Sequence, residues 1–253
     1  MARNSDTHDT KSRWPVSRGQ LRALVLAFVM ISSVAAMPLL GGLDGGTAQA
    51  GAGPESLVTD STISPSVTTQ TSTEENETIY TGSQDATVKA IDAGSGDVLW
   101  TYSNISTAVE SVSLSQNGSV VYAGGADNTV QAIDADSGGE IWTINVPDNP
   151  DSIATSPNND AVYVGLNDGS ARAYDAGTGD ELWSNTDHPY GVRGIGVSPD
   201  GSTVYTGGVD DTVRALDATT GDSIWVSALN GTGYGISASP DGSTVYTGSG
   251  AVM

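Results

Sequence analysis

The feature that most constrains this chain is a passage that recurs along it at a nearly fixed spacing. Tyrosines mark the same point in successive copies at Tyr80, Tyr122, Tyr163, Tyr205 and Tyr246, so the copies are 41 or 42 residues apart. The stretches that end in the tryptophans of the four complete copies align without a gap, as AIDAGSGDVLW, AIDADSGGEIW, AYDAGTGDELW and ALDATTGDSIW. A repeat of roughly 40 to 45 residues carrying four short strands is the length of one β-propeller blade.

Each copy contains the signals of four short strands. In the fourth copy an apolar stretch at 194–197 precedes a Pro-Asp-Gly turn, and residues 203–207 and 212–215 are rich in β-branched and aromatic residues. The stretch with the tryptophan supplies the fourth strand. We therefore predict an all-β chain: a β-propeller of four-stranded antiparallel blades, with about four blades present in an incomplete ring.

The pattern Ala-x-Asp-x-x-Thr/Ser-Gly-x-x-x-Trp resembles the repeat of the pyrroloquinoline-quinone-type (PQQ-like) β-propeller family, over about residues 78–249. The Ser-Pro-Asp-Gly turn is also similar to turns of the related YVTN and WD-repeat propellers. The resemblance implies that the tryptophans lie between adjacent blades and lock them together. The residues given this blade-docking role are Trp100, Trp142, Trp183 and Trp225.

The N-terminal region has the pattern of an export signal. Residues 1–22 are basic, residues 23–40 are largely apolar, and Ala48-Gln49-Ala50 is a small-x-small cleavage pattern. This region resembles the leader of haloarchaeal surface-layer glycoproteins. We predict a signal peptide over residues 1–50 and a protein placed outside the cell or on its surface. The alternative is an uncleaved membrane anchor, since 18 apolar residues nearly span a bilayer.

Residues 51–77 are rich in serine and threonine and poor in large apolar side chains, which predicts a flexible linker before the repeats of residues 78–253. Four sequons would be N-glycosylation acceptors in an exported chain. Their asparagines are Asn76, Asn104, Asn117 and Asn230. The fifth copy stops before its third strand, which favours a fragment of a larger propeller. The alternative is a four-bladed ring in which the strand containing Ile236 completes the first blade.

The chain is strongly acidic, with a formal net charge of −21. Only four of its nine lysines and arginines follow residue 50, and a phosphate-binding surface needs more, so nucleic acid is not expected as a partner. Molar salt screens self-repulsion, which points to an extremely halophilic protein, while disorder is the other explanation for so acidic a chain. Cysteine is absent, which excludes disulfides and thiolate chemistry.

Two columns of aspartates could hold Ca²⁺ or cap tight turns. Turn capping is favoured, because the copies would be spread around a ring instead of meeting at one ion. The first column is Asp85, Asp127, Asp168 and Asp210. The second column, predicted to be structural turn residues, is Asp92, Asp134, Asp175 and Asp217. We expect no metal site.

Nucleophilic catalysis finds little support in the sequence. His188 is the only histidine after the leader, and Ser198 does not lie in a Gly-x-Ser-x-Gly elbow. His188 is therefore expected to be a loop residue and not a member of a catalytic triad.

Two functions remain, an enzyme and a binding module. The family resemblance implies quinoprotein dehydrogenases that hold a quinone beneath a disulfide and beside Ca²⁺, but this chain has no cysteine and no catalytic residue can be transferred to it. Other members are non-enzymatic, similar to the lipoprotein scaffold of outer-membrane assembly machinery. We predict a non-enzymatic extracellular binding or scaffold module without a cofactor, with a protein or cell-surface partner reached through loops such as 185–192 and 228–234. The alternative is a fragment of a PQQ-dependent dehydrogenase.

Overall fold

The structure is a computed structural model that describes the backbone of residues 67–69 and residues 77–250. The predicted signal peptide, most of the predicted linker, Asn76 and residues 251–253 lie outside the described residues.

The described residues form five antiparallel sheets and contain no helix, which confirms the predicted all-β blades. Four sheets have four strands in chain order, and the fifth has two. Blade 1 contains β1 (Val67–Thr69), β2 (Thr78–Gly82), β3 (Val88–Asp92) and β4 (Val98–Tyr102). Blade 2 contains β5 (Val109–Leu114), β6 (Val120–Gly125), β7 (Thr129–Asp134) and β8 (Glu140–Asn145). Blade 3 contains β9 (Pro150–Thr155), β10 (Ala161–Leu166), β11 (Ala171–Asp175) and β12 (Glu181–Asn185). Blade 4 contains β13 (Val192–Val197), β14 (Thr203–Gly208), β15 (Thr212–Asp217) and β16 (Ser223–Ala228). Blade 5 contains β17 (Thr232–Ala238) and β18 (Val245–Gly250). The strands of each blade are called a to d in chain order.

The strand register explains why the repeat contains a tyrosine, an alanine and a tryptophan. In blade 3, Ala173 on strand c lies opposite Tyr163 on strand b and opposite Trp183 on strand d. The fully buried alanine methyl leaves room above it, so the two rings meet with their centroids 5.9 Å apart. The same trio occurs in the other complete blades. Ring pairs of this kind add to the stability that burial itself provides.

The sheets are arranged like the blades of a fan. Neighbouring a strands contact one another, while the d strands have their main contacts within their own sheet. Apolar clusters fill the spaces between successive sheets and combine side chains from both neighbours. The core is therefore a series of interfaces between sheets, which is how a propeller buries both faces of each blade.

A close approach between blades depends on a glycine of strand b. A side chain at Gly124 would begin 2.8 Å from the ring of Pro150, the first residue of strand a in the next blade. No β-carbon can occupy that space, so glycine lets blade 3 pack directly on blade 2.

The five sheets do not close into a ring within the part of the chain that the structure describes. Strand β17, which contains Ile236, pairs with β18, and position a of blade 1 is occupied by β1. The predicted alternative, in which the Ile236 strand completes blade 1, is therefore wrong. β1 has no equivalent in the sequence-based prediction and falls within residues 51–77.

The connections divide the molecule into two faces. The turn face consists of the a–b and c–d turns, which are 93–97, 115–119, 135–139, 156–160, 176–180, 198–202, 218–222 and 239–244. The loop face consists of the b–c turns and the d–a loops, which are 83–87, 103–108, 126–128, 146–149, 167–170, 186–191, 209–211 and 229–231. The c–d turns have one length throughout, whereas the d–a loops differ in length from blade to blade.

Candidate functional site

The aspartates at the ends of the c strands organise the turn face. Asp175 Oδ1 accepts hydrogen bonds from the amides of Gly177 and Thr178, each at 2.9 Å. These bonds, led by that from Thr178, hold the pKa of Asp175 below its usual value. The same turn is built around Asp92, Asp134 and Asp217. All four predicted turn aspartates thus lie in tight turns, in which the side-chain oxygen accepts hydrogen bonds from the following backbone amides, as in an Asx turn.

Three of the four tryptophans bind the next blade. Trp183 Nε1 donates a hydrogen bond to the carbonyl oxygen of Ala218 at 2.9 Å, and its indole lies on Gly221. Trp100 and Trp142 donate in the same way to Ala135 and Ala176. In blades 1 and 2 the strand-b tyrosine hydroxyl also donates to that alanine carbonyl.

Trp225 differs from the other three. It is 41% exposed, and among the described residues no acceptor lies within hydrogen-bond distance of its indole nitrogen. Its ring still pairs with Tyr205 inside blade 4, at 6.1 Å between centroids. The structure therefore shows one tryptophan that has kept its contacts within the blade and lacks those to a following one.

The a–b turns contribute a cleft to the turn face. A cavity of about 460 Å³ lies between the Ser-Pro-Asp-Gly turns of blades 4 and 5. Its carboxylates already accept bonds from their own turns: Asp200 Oδ1 accepts from Ser198 Oγ at 2.6 Å, and Asp241 repeats this with Ser239. These bonds hold the pKa of both aspartates at about 2. Ser198 therefore supports a turn and lies on the opposite face from His188.

The aspartates of the b–c turns lie on the loop face and are also bound within their own surroundings. Asp85 accepts from Thr87, Asp127 from Thr129 and the Ser106 amide, and Asp168 from Ser170. Across residues 77–250, no group of three or more His, Asp or Glu side chains is arranged to hold a metal ion.

Asp210, the fourth member of that column, belongs to a buried polar network that the sequence did not reveal. His188 is 3% exposed, with Nδ1 at 2.8 Å from Asp210 Oδ1 and Nε2 at 2.9 Å from Thr206 Oγ1. Arg214 and Thr212 also donate to Asp210. Burial lowers the pKa of His188, against the opposing effect of Asp210, so the neutral imidazole is favoured.

This network has the order acid, imidazole and hydroxyl, but it is not arranged for nucleophilic attack. Thr206 is fully buried and His188 nearly so, which leaves a substrate no path to the hydroxyl. The network instead fastens the loop of residues 186–191 to strands b and c of blade 4. The prediction that His188 is a loop residue did not anticipate this burial.

In blades 2 to 5, the register between strand a and strand b is irregular near the start of strand a. The register shifts fall at Glu110, Asp151 and Arg193 and, in blade 5, at Tyr234 and Gly235. A bulge turns the extra residue's side chain away from its normal direction. Glu110, Asp151, Arg193 and Tyr234 occupy the same position of the repeat, near the loop-face end of each a strand. We call them the bulge cluster.

The centre of the bulge cluster is a buried carboxylate beside an arginine. Arg193 Nη1 lies 2.7 Å from Asp151 Oδ2, and Arg193 Nη2 donates to Asn167 Oδ1 at 3.0 Å. The Asp151 side chain is 9% exposed, while that of Arg193 is 36% exposed. Burial raises the pKa of Asp151 to about 6, with Arg193 opposing the rise and Glu110 and Asp148 adding to it.

Two buried acceptor atoms, one of Asp151 and one of Asn149, make no hydrogen bond of good geometry. Asn149 Oδ1 and Asp151 Oδ2 are buried and have no hydrogen-bond partner among the described residues. For Asp151 Oδ2, the arginine satisfies the distance of an ion pair without the angles of a hydrogen bond. Buried polar atoms are seldom left unsatisfied in folded proteins, and here Arg193 supplies the charge that faces Asp151 Oδ2.

Two exposed tyrosines lie in or next to the loops of the loop face. Tyr190, in the loop that His188 fastens, is 62% exposed, and Tyr234 of the bulge cluster is 47% exposed. Tyrosine and arginine are enriched in the energetic centres of protein interfaces. Two sequon asparagines, Asn104 and Asn230, are also exposed on this face, whereas Asn117 is exposed on the turn face. Use of these sequons stays a prediction.

The two faces differ in their charged residues. The four basic residues of the described part lie in the halves of their strands nearest the loop face, namely Lys89, Arg172, Arg193 and Arg214. The turns of the turn face contain aspartates and no lysine or arginine. Only the loop face therefore combines both signs of charge with exposed aromatic rings.

Sequence reasoning missed the bulge cluster because its residues differ between copies. Glu, Asp, Arg and Tyr occupy one column, which a search for repeated residues ignores. The available signal was the change of charge at a single position of an otherwise regular repeat.

Within the described residues, no helix has the length and apolar character needed to cross a membrane.

Comparison with known proteins gives one family. A family model described as outer membrane protein assembly factor BamB, of the PQQ-like class, matches residues 48–187 and again residues 167–252. No curated protein matches the chain significantly.

Proposed function

Since the chain belongs to the PQQ-like β-propeller repeat family, whose matching model bears the description of outer membrane protein assembly factor BamB, we propose that it is an exported, non-enzymatic binding or scaffold module. Its partner is a protein or another component of the cell surface. The description of the family as an assembly factor supports a role in protein–protein contact.

The observation that carries the proposal is the contrast between a repeated framework and a varied loop face. Loops on a rigid scaffold are where proteins place binding residues. Here the d–a loops change length between blades and bring Tyr190, Arg193 and Tyr234 to the surface. Such a surface has the composition of an interface centre, and no acid–base–nucleophile set among the described residues is open to a substrate.

Capture from a cell-surface extract in high salt tests this function. Wild-type protein is compared with a loop-face variant (Tyr190→Ala with Tyr234→Ala) and with a turn-face control (Asp97→Ala with Asp136→Ala). Both pairs are exposed, so all three proteins are expected to fold. A partner retained by wild type and by the turn-face control, and lost by the loop-face variant, supports the proposal. Equal capture by all three, or capture by none, contradicts it.

We further propose that the protein works in concentrated salt. Its net charge of −21, together with a turn face that lacks basic residues, produces self-repulsion that salt screens. The melting temperature should rise as KCl is increased from 0.1 M toward molar concentrations. A melting temperature that falls over this range would contradict halophilic adaptation.

A further inference from the structure

Blade 5 lacks the strands that complete the other four sheets. In each complete blade, strand b pairs with strand a on one side and with strand c on the other, whereas β18 pairs with β17 alone among the described residues. The backbone along the second edge of β18 therefore has no strand to bond within this part of the chain. Edges of this kind are where proteins accept a strand from another chain.

Tyr246, on β18, is without the ring contact that its equivalents make. In blades 1 to 4 the strand-b tyrosine pairs with the tryptophan of its own strand d, with ring centroids 5.7 to 6.1 Å apart. Those four tyrosines are at most 7% exposed, whereas Tyr246 is 60% exposed. A strand d added to blade 5 would bring an indole to this ring.

Trp225, on the preceding blade, is without the turn that its equivalents bind. The other three indoles each donate to an alanine carbonyl of the next blade's c–d turn, at 2.9 to 3.1 Å, and each lies over the glycine three residues later. Beyond blade 4 the turn face has instead a cavity of about 460 Å³, with Tyr205 on its wall. The equivalents of Tyr205 in blades 1 and 2 donate to the same alanine carbonyls, so this cavity lies where such a turn would bind.

A single β-hairpin would satisfy β18, Tyr246 and Trp225 together. The molecule shows the form of that hairpin, because strands c and d fill the equivalent position in blades 2, 3 and 4. In each, strand c pairs with strand b, the tryptophan packs on the strand-b tyrosine, and the turn meets the indole of the preceding blade. The three hairpins share the pattern Ala-x-Asp-Ala-x-x-Gly-x-x-x-Trp.

We propose that the open edge of blade 5 binds a β-hairpin of a different protein chain, which completes the blade as its strands c and d. The hairpin places an alanine opposite Tyr246, an Asp-Ala-x-x-Gly turn beneath Trp225 and an indole on Tyr246. A second copy of this chain is a poor donor, because each c–d hairpin among the described residues is already paired with strand b of its own blade. This edge is separate from the loops of the loop face, so the inference goes beyond the proposed function.

A peptide with the sequence of residues 210–228, the c–d hairpin of blade 4, tests the site. The unlabelled peptide is added to the nitrogen-15-labelled full chain in salt that keeps the protein folded, so that NMR detects the protein's own indole N–H groups. We expect saturable binding with a Kd of about a hundred micromolar, and exchange of the Trp225 N–H that is slower by about tenfold or more. The Trp183 N–H already donates to Ala218 and should not change.

The same peptide with Gly221→Val is the matched control. This glycine has φ +76°, and a β-carbon there would lie 2.6 Å from the indole beneath which it packs in the folded chain. Valine is therefore both strained and too large at this point of the turn. The control peptide should bind more weakly by about tenfold or more. Equal binding of the two peptides would contradict docking of the turn on Trp225 and overturn the proposal.

Two tyrosines of similar exposure separate this edge from the loop face. Tyr246→Ala removes the ring that receives the hairpin's indole and should weaken peptide binding by about tenfold. Tyr190→Ala removes a 62% exposed ring of the loop face and should change peptide binding by less than about twofold. Both side chains are exposed, so both variants are expected to fold.

The proposal is overturned if the peptide leaves the Trp225 N–H unchanged, or if Tyr246→Ala binds the peptide as well as wild type. A second copy is identified as the occupant if raising the concentration of the chain alone protects the Trp225 N–H and sedimentation equilibrium shows a dimer, which also overturns the proposal. None of these results affects the proposed function, which depends on Tyr190 and Tyr234.

Discussion

The turn face and the loop face lie at opposite ends of the same strands, but the first is regular from blade to blade and the second is not. On the turn face, every c–d turn repeats one hydrogen-bonded form, and three indoles each bind the turn of the next blade. On the loop face, the loops between blades vary in length, and one column of the repeat changes from Glu to Asp to Arg to Tyr. The comparison teaches that repetition marks the residues that hold the blades together, while departures from it mark the surface on which the proposed binding role depends.

The largest effect should come from removing a docked indole. Trp183→Ala deletes a 7% exposed ring and its hydrogen bond to Ala218, so the free energy of unfolding should fall by about 3 to 5 kcal/mol. Trp225→Ala is the matched control: it removes the same side chain where it is 41% exposed, and should cost clearly less. Denaturant unfolding in high salt measures both. Equal losses would contradict the claim that the contact between blades supplies the difference.

A somewhat smaller effect is expected at the glycine beneath that indole. Gly221 and Gly96 have nearly the same φ, +76° and +79°, but a β-carbon at Gly221 would lie 2.6 Å from the Trp183 ring, while at Gly96 it would meet nothing within 4 Å. Gly96→Ala should therefore cost about 1 kcal/mol from the backbone alone, and Gly221→Ala about 2 to 3 kcal/mol. Chemical denaturation checks the pair, and similar values for both would show that the indole does not rest on the turn.

His188 tests whether the loop face is free of structural residues. His188→Ala leaves Asp210 and Thr206 with unmet bonds and should lower the free energy of unfolding by about 2 kcal/mol. Because burial lowers the pKa of His188 in the folded state, wild-type stability should decrease as pH falls through the ordinary histidine value of about 6.5. The variant should lack that step. Unfolding curves at several pH values decide this, and an unchanged step would assign it to another group.

Asp151 should make the smallest contribution to the free energy of unfolding, and its pH dependence should be opposite in sign to that of His188. Its folded-state pKa of about 6 lies above the unfolded value, so the folded chain holds the extra proton between these values. Wild-type stability should therefore decrease, by about 1 to 2 kcal/mol relative to Asp151→Asn, as pH rises from 4 to 7. Asp211→Asn, an exposed substitution with the same change of charge, provides the control. A constant difference between wild type and Asp151→Asn across this range would show that Asp151 titrates normally.

How much could be read from the sequence depended on what the copies share. The Tyr, Ala and Trp columns predicted blades, because three residues in fixed register recur four times. The strand β1 was not predicted, since Val67–Thr69 lies in a serine- and threonine-rich stretch without the tyrosine or tryptophan that marks other strands. Local composition there gave no sign of the pairing with β2, which depends on a neighbouring strand.

The contacts of the candidate site could not be predicted from the sequence, for a different reason. His188 occurs once, so its bonds to Thr206 and Asp210 depend on how a loop folds back onto two strands. Asp151 and Arg193 are 42 residues apart and meet only because adjacent bulges point their side chains toward each other. Sequence spacing predicts a repeat but carries no information about such bulges, which are set by packing between blades.

The most direct test of the central claim, that indoles join successive blades through the turn face, is hydrogen exchange of the tryptophan side-chain N–H groups by NMR, with each signal assigned by single substitution. The N–H groups of Trp100, Trp142 and Trp183 donate to the next blade and should be strongly protected, whereas that of Trp225 should exchange rapidly. Equal exchange at all four tryptophans, whether fast or slow, would contradict the account.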